Sequence, residues 1–550
     1  MDNSAEIIRV GGGALVRVTA DRKVMPEAAG GGGGGVAAGA AVAVADIGGF
    51  TIATVGSAQV GQVAGKTVGS LTVRANSDIE SKPEATAVQA GIAGAVNASA
   101  AIVTANPIVT ANVGPNALVA TTGDVGVYAN STAEVTTRAI GVAVGGLAGL
   151  GASIAIAIVK PEVTASIGSG STVASTGGNV AVQALHNYTN EANPTAKGAA
   201  GEVTAYTIAG SGGAFGAFAG AFSVVDNSPK VNAYAGPATN DPLVLGPAVN
   251  TTLSAGPSGG VSVVAMADNN ASTEAIGAAA SAGIAVAVNT ALTYVDGVVG
   301  AQLNANVGAG KSVTVTAQQT SDVESDISAG SAALLGLTVN VAYARQTTVV
   351  DAHIGNRATL TVTGDVAVLA RSVDDVKADE LGITIGAGAV GTGFATALNT
   401  PTLTSYVGRS TSVTGAAIGV QSLHNFDGAN PMANRGATAN AEAVAVGIVS
   451  GQGAVPTAKA NPTLSSFVAT GATLNGSGAI AVNALSAAVA DADADAITVA
   501  GVAIGVSVAK AYADGSAKAY LDGPVLNGSS LTVQSRADHK PTSEGDAPGA

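Results

Sequence analysis

Apolar residues alternate with other residues in short stretches along the chain, and one such stretch recurs ten times. It reads apolar-x-Val-x-small, where x is any residue. Side chains on a β-strand point alternately to opposite faces, so this period of two predicts a strand with one buried face. The copies are VRVTA at Val16, LTVRA at Leu71, VGVYA at Val125, VAVQA at Val180, VSVVA at Val261, VTVTA at Val313, VAVLA at Val366, IGVQS at Ile418, IAVNA at Ile480 and LTVQS at Leu531.

The spacing of these copies defines a repeat unit. Successive start positions differ by 55, 54, 55, 81, 52, 53, 52, 62 and 51 residues, and seven of the nine differences lie between 51 and 55. Self-similarity at a fixed period is the sequence signature of a repeat architecture. We therefore predict one continuous array over residues 1–550, with about 52–55 residues in each repeat.

A second motif, apolar-x-Ala-x-apolar-Gly, lies at a matching phase in several units. It also alternates with period two, and the glycine after it suits a tight turn. The motif therefore predicts a second strand that ends in a turn. Its copies are VTANVG from Val109, VTASIG from Val163, LNANVG from Leu303 and VDAHIG from Val350, with LTSYVG from Leu403 as a variant.

Two units are longer than the rest, and they begin with related sequences. VQALHNYTNEANP from Val182 and VQSLHNFDGANP from Val420 lie 238 residues apart. Extra residues in a repeat usually form loops on one side of the stack. We expect overlong repeats with loop insertions over residues 185–260 and 423–479, with the segment rich in Pro and Gly from Pro237 to Gly260 as the clearest insertion.

The repeats predict an all-β fold in which successive units stack as a parallel β-solenoid, or β-helix. No unit this apolar can cover its own faces, and stacking on equivalent strands of the next unit solves that problem. An array of antiparallel hairpin-rich β modules is the alternative, because the sequence GGLAGLG within the run Val142–Val159 would suit a hairpin turn. Neither end of the chain resembles a polar cap, so we expect an internal fragment of a longer protein that continues into further repeats.

One apolar run, Ala139 to Val159, has the length of a membrane helix, with 21 uncharged residues. Comparable runs recur in other units, at Ile276–Val288, Ile383–Leu398 and Ile497–Ala509. Glycines interrupt them, and the Trp and Tyr belts of membrane spans are missing from them. We therefore interpret the runs as buried strands and expect no membrane span.

Composition narrows the function classes. The hydrophobic fraction of 47% is too high for a disordered polar chain, and the net charge of −14 argues against nucleic acid or an anionic membrane surface as the main partner. Cysteine is absent, which excludes disulfides, thiolate metal sites and cysteine nucleophiles. The first ten residues, MDNSAEIIRV, lack the basic and apolar regions of a signal peptide.

No residue pattern nominates a catalytic, cofactor or metal site. The glycine run Gly30–Gly35 lacks the Lys-Ser/Thr of a phosphate-binding loop and is expected to be a flexible connector. His186 and His424 occupy matching LHN sequences, which we interpret as duplicated turns; the alternative is a metal or pH-sensitive site, and neither has a nearby ligand cluster. Asp491, Asp493 and Asp495 would share one face of a strand, as a solvated face rather than a calcium site.

One feature goes beyond repetition. The residue before the last apolar position of the second motif is aromatic or histidine in five of nine units, at Tyr234, His353, Tyr406, Phe467 and Tyr520. If the units stack, these rings form a column along the axis. A solvent-facing column would be a binding stripe for glycan or protein. Packing against a neighbouring turn, or support of a strand, is the alternative.

Two stretches carry a resemblance to a known family, VDAHIGNRATLTVTGDVAVLA from Val350 and VTASIGSGSTVASTGGNVAVQA from Val163. They resemble the repeats of large bacterial filamentous adhesins, closest to the leukotoxin-type filamentous adhesins and more loosely to filamentous hemagglutinin-like exoproteins. The resemblance implies an exported protein of the cell surface or extracellular medium, with a β-solenoid stalk that serves cell adhesion and virulence. Its expected partners are surface proteins or glycans of host or neighbouring cells.

The resulting hypothesis is a non-catalytic adhesin stalk without cofactors. A secreted toxin-like exoprotein and a β-helix polysaccharide-active enzyme are the alternatives. The enzyme would need Asp and Glu clustered with Arg and Lys in a groove, and the 23 basic residues are scattered over the chain.

Overall fold

The structure, a computed structural model, describes residues 12–61, 68–189, 194–238 and 249–546. Nearly all of these residues lie in β-strands, and the strands pair in parallel with their equivalents one coil away. Two ladders of two residues each are the antiparallel exceptions among the described strands. The predicted parallel β-solenoid is confirmed, and the alternative array of antiparallel hairpins is wrong. The first ten residues, and residues 239–248 of the insertion expected from Pro237 to Gly260, lie outside the described residues.

Each coil follows the same path, which the second coil illustrates. A front strand, Leu71–Ser81, leads into the strand Glu84–Ala105, which reverses direction near Ile92. We call its two halves the outgoing arm (residues 84–91) and the return arm (residues 94–105), and together they form the arch. The corner strand Ile108–Val113 and the closing strand Leu118–Thr121 complete the coil.

The front strands and arch arms belong to one sheet of 20 strands, some of which run through more than one of these segments. They are Ala14–Val24, Glu27–Ile47, Leu71–Ser81, Glu84–Ala105, Val125–Gly145, Ala148–Val159, Val180–His186, Val203–Gly213, Gly216–Asn227, Gly260–Asp268, Ala271–Ser281, Ile284–Val295, Ser312–Ala332, Leu335–Gln346, Val366–Asn399, Ile418–His424, Gly436–Ala460, Ala479–Ser507, Lys510–Ala513 and Ser530–Asp546.

The corner strands and the closing strands form two further sheets of nine strands each. The corner strands are Phe50–Val55, Ile108–Val113, Glu162–Ile167, Lys230–Ala235, Val298–Leu303, Val349–Ile354, Thr402–Val407, Thr463–Val468 and Ser516–Leu521. The closing strands are Gln59–Val60, Leu118–Thr121, Thr172–Ser175, Thr252–Ser254, Asn306–Ala309, Thr359–Thr361, Ser412–Gly415, Thr473–Gly476 and Val525–Asn527.

Extra residues of both overlong units leave the coil directly after the LHN sequences, and in the first unit further extra residues lie between the corner strand Lys230–Ala235 and the closing strand Thr252–Ser254. The first forms a hairpin of Tyr188–Thr189 and Thr195–Ala196, followed by the 3-10 helix Gly198–Gly201. The second forms a hairpin of Phe426–Asp427 and Asn430–Pro431. The described part of the chain contains no helix with the length and apolar character needed to cross a membrane.

The hydrogen-bonded register tests the motif alignment residue by residue. Nine of the ten front-strand motifs start at equivalent positions, from Leu71 opposite Val125 to Ile480 opposite Leu531. The first motif was placed two residues too late, because Ala14 pairs with Leu71. The LNANVG assignment was also wrong. The residue opposite Val350 is Val299, four positions before Leu303.

Two apolar cores run along the axis. One lies between the first half of the front strand, the corner strand and the closing strand, where Val73, Val109 and Val119 meet. The other lies between the second half of the front strand and the arch, and Ile79 and Val103 belong to it. Each buried Val or Ile contributes about 1.5–3 kcal/mol relative to an exposed one, so these thin layers of small side chains stabilise the stack through their number.

The apolar runs form the arches, and here the structure corrects the expectation of buried strands. The run Val142–Val159 reverses direction near Leu147, as a hairpin would, but its arms do not pair with each other. Both pair in parallel with adjacent coils, as Ile154 does with Phe222. Only one face of each arm is buried, and Leu150 and Ile154 on the other face are exposed. The runs are strands, as predicted, but half of their apolar side chains face outward.

The glycine run is not a flexible connector. Gly30 to Gly34 lie within the strand Glu27–Ile47 and pair with Ala87 to Gly91 of the next coil. A Cβ at Gly32 would lie 2.5 Å from the Gln89 side-chain oxygen, so the run makes room for that buried amide. Local flexibility of glycine is overridden here by the hydrogen bonds of the neighbouring coil.

Candidate functional surfaces

The five residues of the predicted binding stripe occupy one column of the corner sheet. The register places Tyr234, Gln302, His353, Tyr406, Phe467 and Tyr520 at equivalent positions of successive coils. The last four stack continuously, with ring centroids 4.4, 5.0 and 4.9 Å apart and planes within 13° of parallel. Gln302 separates Tyr234 from this stack.

The stacked rings cover one another's faces and are largely shielded from solvent. His353 is 1% exposed, Tyr406 4% and Phe467 6%, whereas Tyr520 at the end of the stack is 39% exposed. The His353 Nδ1 atom lies 2.7 Å from the Asp351 carboxylate. For the three buried rings this geometry matches the packing alternative. Tyr520 and the half-buried Tyr234 are the members with surface to offer a partner, and the binding role remains a prediction.

A groove on the outside of the corner sheet runs beside the end of this column that contains Tyr234. It encloses about 610 Å³, and Tyr234, Gln302, Asp351, Thr404 and Tyr406 contribute to its walls. An aromatic ring beside polar side chains is a common way to bind a sugar or peptide, because the ring supplies contact area and the polar groups fix orientation. This groove therefore offers a site for a surface ligand beside the stripe.

The two LHN sequences form equivalent buried turns, which agrees with the duplicated-turn interpretation. Asn187 and Asn425 adopt left-handed backbone conformations, with φ of 56° and 51°. His186 is fully buried, and neither of its ring nitrogens has a hydrogen-bond partner among the described residues. Burial, with a smaller contribution from Lys197, lowers the pKa of His186 to about 3, so its ring is neutral at physiological pH.

Around His424 the structure assembles a polar cluster that the sequence did not reveal. The Asp374 carboxylate accepts hydrogen bonds from Ser321 at 2.9 Å and Ser372 at 2.6 Å, and the His424 Nε2 atom lies 3.6 Å from it. The His424 Nδ1 atom lies 3.4 Å from Ser486 Oγ. The order Asp, His, Ser is that of a catalytic triad, but all three residues are 0% exposed, so no substrate can reach the serine. The members come from three different coils, which is why no local motif signals them.

One group of carboxylates converges closely enough to consider a metal ion. Among the described residues, Glu324, Asp326 and Asp379 bring oxygens within 4.8 Å of one another. The Lys377 ammonium contacts both Glu324 and Asp379, so a protein cation already offsets part of the group's negative charge. Burial raises the pKa of Asp326 to about 7, and the neighbouring Glu324 and Asp379 add to the shift. The arrangement is an ion-pair network at the base of the outgoing arms.

The three aspartates Asp491, Asp493 and Asp495 lie on the outer face of one strand, as predicted. Their neighbours in the register are Thr438, Asn440 and Glu442 on one side. Burial, with contributions from Asp493 and Asp546, raises the pKa of Asp495. They point to solvent as a row and do not enclose a calcium-sized site.

Comparison with protein-family models, with curated proteins and with solved structures found no match to this chain.

Proposed function

We propose that the chain is a non-catalytic stalk and adhesive repeat region of a filamentous adhesin on a bacterial surface or in the secreted medium. The observation that carries the proposal is the continuous register: the same front-strand position repeats from Ala14 to Leu531 through nine coil advances. A coil advances about 4.8 Å along the axis, so nine advances extend the stack by about 43 Å. Length therefore grows only with added coils, which is the property of a stalk.

Two further observations support a role without catalysis. The Asp374, His424 and Ser486 side chains are sealed inside the coils, and the groove beside Tyr234 contains aromatic and polar groups suited to binding rather than to acid–base chemistry. The resemblance of the repeats to filamentous adhesins supplies the biological setting. Surface proteins or glycans of host or neighbouring cells are the partners we propose.

A tandem fusion tests the stalk. Joining residues 1–530 directly to residues 14–550 places the second Ala14 at the register position of Leu531. Small-angle scattering should show the axial length increasing by about 43 Å with an unchanged cross-section. Two particles joined by a flexible link would contradict the proposal.

Adhesion is tested with the immobilised chain on glycan arrays and epithelial cells. Tyr234→Ser and Tyr520→Ser together should reduce attachment, because these two rings of the column have exposed surface. Thr54→Ser, at the same column position in the first coil but without a ring and outside the groove, is the matched control and should change attachment less. Equal attachment by all three proteins would remove the column from the adhesive role.

A further inference from the structure

The polarity of the arch is inverted relative to that of a water-soluble sheet. In the return arm Leu335–Gln346, the outward residues include Leu335 and Leu337, while the inward residues include Gly336, Thr338 and Asn340. Proteins in water normally bury the large apolar side chains and expose the polar ones. Toward the turn, small and polar side chains fill the interior and the large apolar ones form the outer surface, whereas Val103 and its equivalents are buried near the base.

Several of the interior polar side chains are hydrogen-bonded to one another. The Asn289 amide donates to the Asn340 oxygen at 3.0 Å, and the Asn340 amide donates to Glu380 at 2.6 Å. In an adjacent layer, the hydroxyls of Thr273 and Thr293 lie 2.7 Å apart. Small residues and interior hydrogen bonds are how strongly apolar proteins hold their elements together when the outside is not water. These bonds also fix which face of each arm points outward.

The outward apolar residues form continuous columns, because the coils stack in register. One column on the return arm contains Val96, Leu150, Phe218, Val286, Leu337 and Val390. The turn at the end of the arch is also apolar: Ile92 is 83% exposed, and Leu147, Phe215, Leu334 and Ile448 are at least half exposed. Soluble monomers rarely expose contiguous apolar patches beyond a few hundred Å².

In several coils the arms are free of charge from the turn to their base, whereas Glu380, Glu442 and Asp495 lie on the outgoing arms of later coils. No charged residue occurs in the 21 positions between Arg138 and Lys160, or in the 21 between Glu274 and Asp296. Tyr206 lies seven residues from Gly213 at the end of its outgoing arm, which is about 23 Å at the rise of a strand. This depth approaches the ~30 Å hydrocarbon thickness of a bilayer.

A collar of tyrosine and arginine marks the base of both arms. On the outgoing arm the Arg138 guanidinium lies 5.6 Å from the Tyr206 ring centre. On the return arm Tyr294 and Tyr343 are 5.6 Å apart, and the Arg345 guanidinium lies 5.0 Å from Tyr294. Membrane proteins place tyrosine at this boundary, where the ring contacts hydrocarbon and the hydroxyl contacts water.

We propose that the arches insert, turn first, into the hydrocarbon region of a lipid bilayer. A second copy packed against one arm would leave the other arm and the turn in water, whereas acyl chains cover both arms and the turn together. An arm with a neighbouring coil on each side has its backbone N–H and C=O groups hydrogen-bonded to the arms of those coils. An apolar phase requires this, because it contains no water to satisfy these groups. The proposal does not rest on the adhesive function, since it follows from the arch surface alone.

The absence of cysteine allows a clean test with single labels. An environment-sensitive fluorophore is attached to one of two single-cysteine variants. One is Phe215→Cys at the turn, and the other is Ser258→Cys in an exposed loop at the opposite end of the coil. With vesicles of zwitterionic phosphatidylcholine, the label at 215 should shift to the blue and be quenched by lipids brominated on the acyl chain. The label at 258 should show neither change. Unquenched emission at 215 with bound vesicles would overturn insertion.

Charge at the turn should abolish binding. A variant with Ile92→Asp, Leu147→Asp, Phe215→Asp and Leu334→Asp should lose flotation with the vesicles by at least tenfold. The control, Phe50→Asp with Leu526→Asp, changes exposed apolar residues outside the arch and should still float. All of these sites are exposed, and circular dichroism verifies the fold.

Two further results would overturn the proposal. One is absence of flotation by the unaltered chain. The other is a self-associated species, seen by sedimentation, that the turn variant dissociates while vesicles bind neither protein. The second result would assign the arch surface to another copy of the chain. The scattering of the tandem fusion involves no lipid, so failure here and failure of the stalk are distinguishable.

Discussion

The Phe467 ring lies flat against Tyr406 of the preceding coil, with centroids 5.0 Å apart and planes 5° from parallel. The separation follows from the architecture. Parallel strands lie about 4.8 Å apart, and aromatic pairs stack favourably at ring-centre distances of about 4.5–7 Å. An aromatic residue repeated at one position of a solenoid therefore meets its copy at contact distance without any adjustment of the backbone.

Removing one ring from the middle of this stack should destabilise the coils locally. Phe467→Ala deletes a buried ring and exposes faces of Tyr406 and Tyr520, at a cost of ~3 kcal/mol. Hydrogen exchange of the amides in Thr463–Val468 measures this local free energy. Tyr234→Ala serves as the control, because Tyr234 is separated from the stack by Gln302 and should lose less protection. Equal losses would show that stacking contributes nothing.

The repeat period and fold class could be predicted because stacking demands like residues at like positions. The exact register could not. In the first coil, Ala14 and Val16 both begin a correct alternation, and a period of two cannot distinguish positions two residues apart. The same ambiguity moved the LNANVG assignment from Val299 to Leu303, a shift of four.

For a related reason, the sequence did not show which face of the arch points outward. In Ile284–Val295, Ala285 and Ala287 are buried while Ile284 and Val288 are exposed. Alternation marks two faces, but when neither face carries charge it does not say which one meets water. The ring column of the predicted stripe could be foreseen from the sequence, because it depends only on one position in each coil. The burial of its rings depends on how they stack, which the sequence alone does not show.

The left-handed turn at the asparagine of the second LHN sequence gives a second prediction. The Asn425 side-chain oxygen accepts the Asp374 backbone N–H at 2.8 Å, and its amide donates to the Asp374 carbonyl at 3.1 Å. Asn425→Ala should cost roughly 3 kcal/mol, because it strains the backbone and leaves two buried backbone groups unpaired. Asn425→Gly loses the same hydrogen bonds but avoids the backbone strain, so it should cost about half as much. The exchange rate of the Asp374 amide reports both variants, and rates like those of the unaltered chain would refute the role.

The buried carboxyl of Glu380 predicts a pH dependence of stability. Burial raises the pKa of Glu380 from 4.5 to about 8, aided by Glu442 and opposed by the hydrogen bond from Asn340. Between these values the unfolded chain releases the proton that the folded chain retains, so this group's contribution makes stability fall as pH rises from about 4.5 to 8. Glu380→Gln should remove that slope and raise the thermal midpoint at pH 8 more than at pH 4.

The comparison of two pH values isolates Glu380 from general effects of the substitution. Glu442→Gln is the control, because Glu442 is exposed at the neighbouring outer position and should leave most of the slope in place. A slope that persists in Glu380→Gln would show that other carboxyls, such as Asp326 with its pKa near 7, dominate the dependence.

Lipid charge should control how well the arches reach a bilayer. The chain carries a net charge of −14, and acidic residues such as Glu274 and Asp493 lie exposed at the base of the outgoing arms, where headgroups would meet the collar. Replacing about a third of the phosphatidylcholine by phosphatidylserine should therefore reduce flotation severalfold at low ionic strength. Salt at 1 M shortens the screening length to about 3 Å and should restore most of the binding.

The acidic base, rather than the net charge alone, should set this dependence. Glu274→Gln with Asp493→Asn should bind anionic vesicles better than the unaltered chain, because two exposed charges at the base of the arms are gone. Asp427→Asn with Asp522→Asn makes the same change in net charge at exposed sites outside the arch and should leave binding nearly unchanged. Equal gains from the two pairs would indicate long-range repulsion by the whole chain, and stronger binding of the unaltered chain to anionic vesicles would contradict the collar's placement at the headgroups.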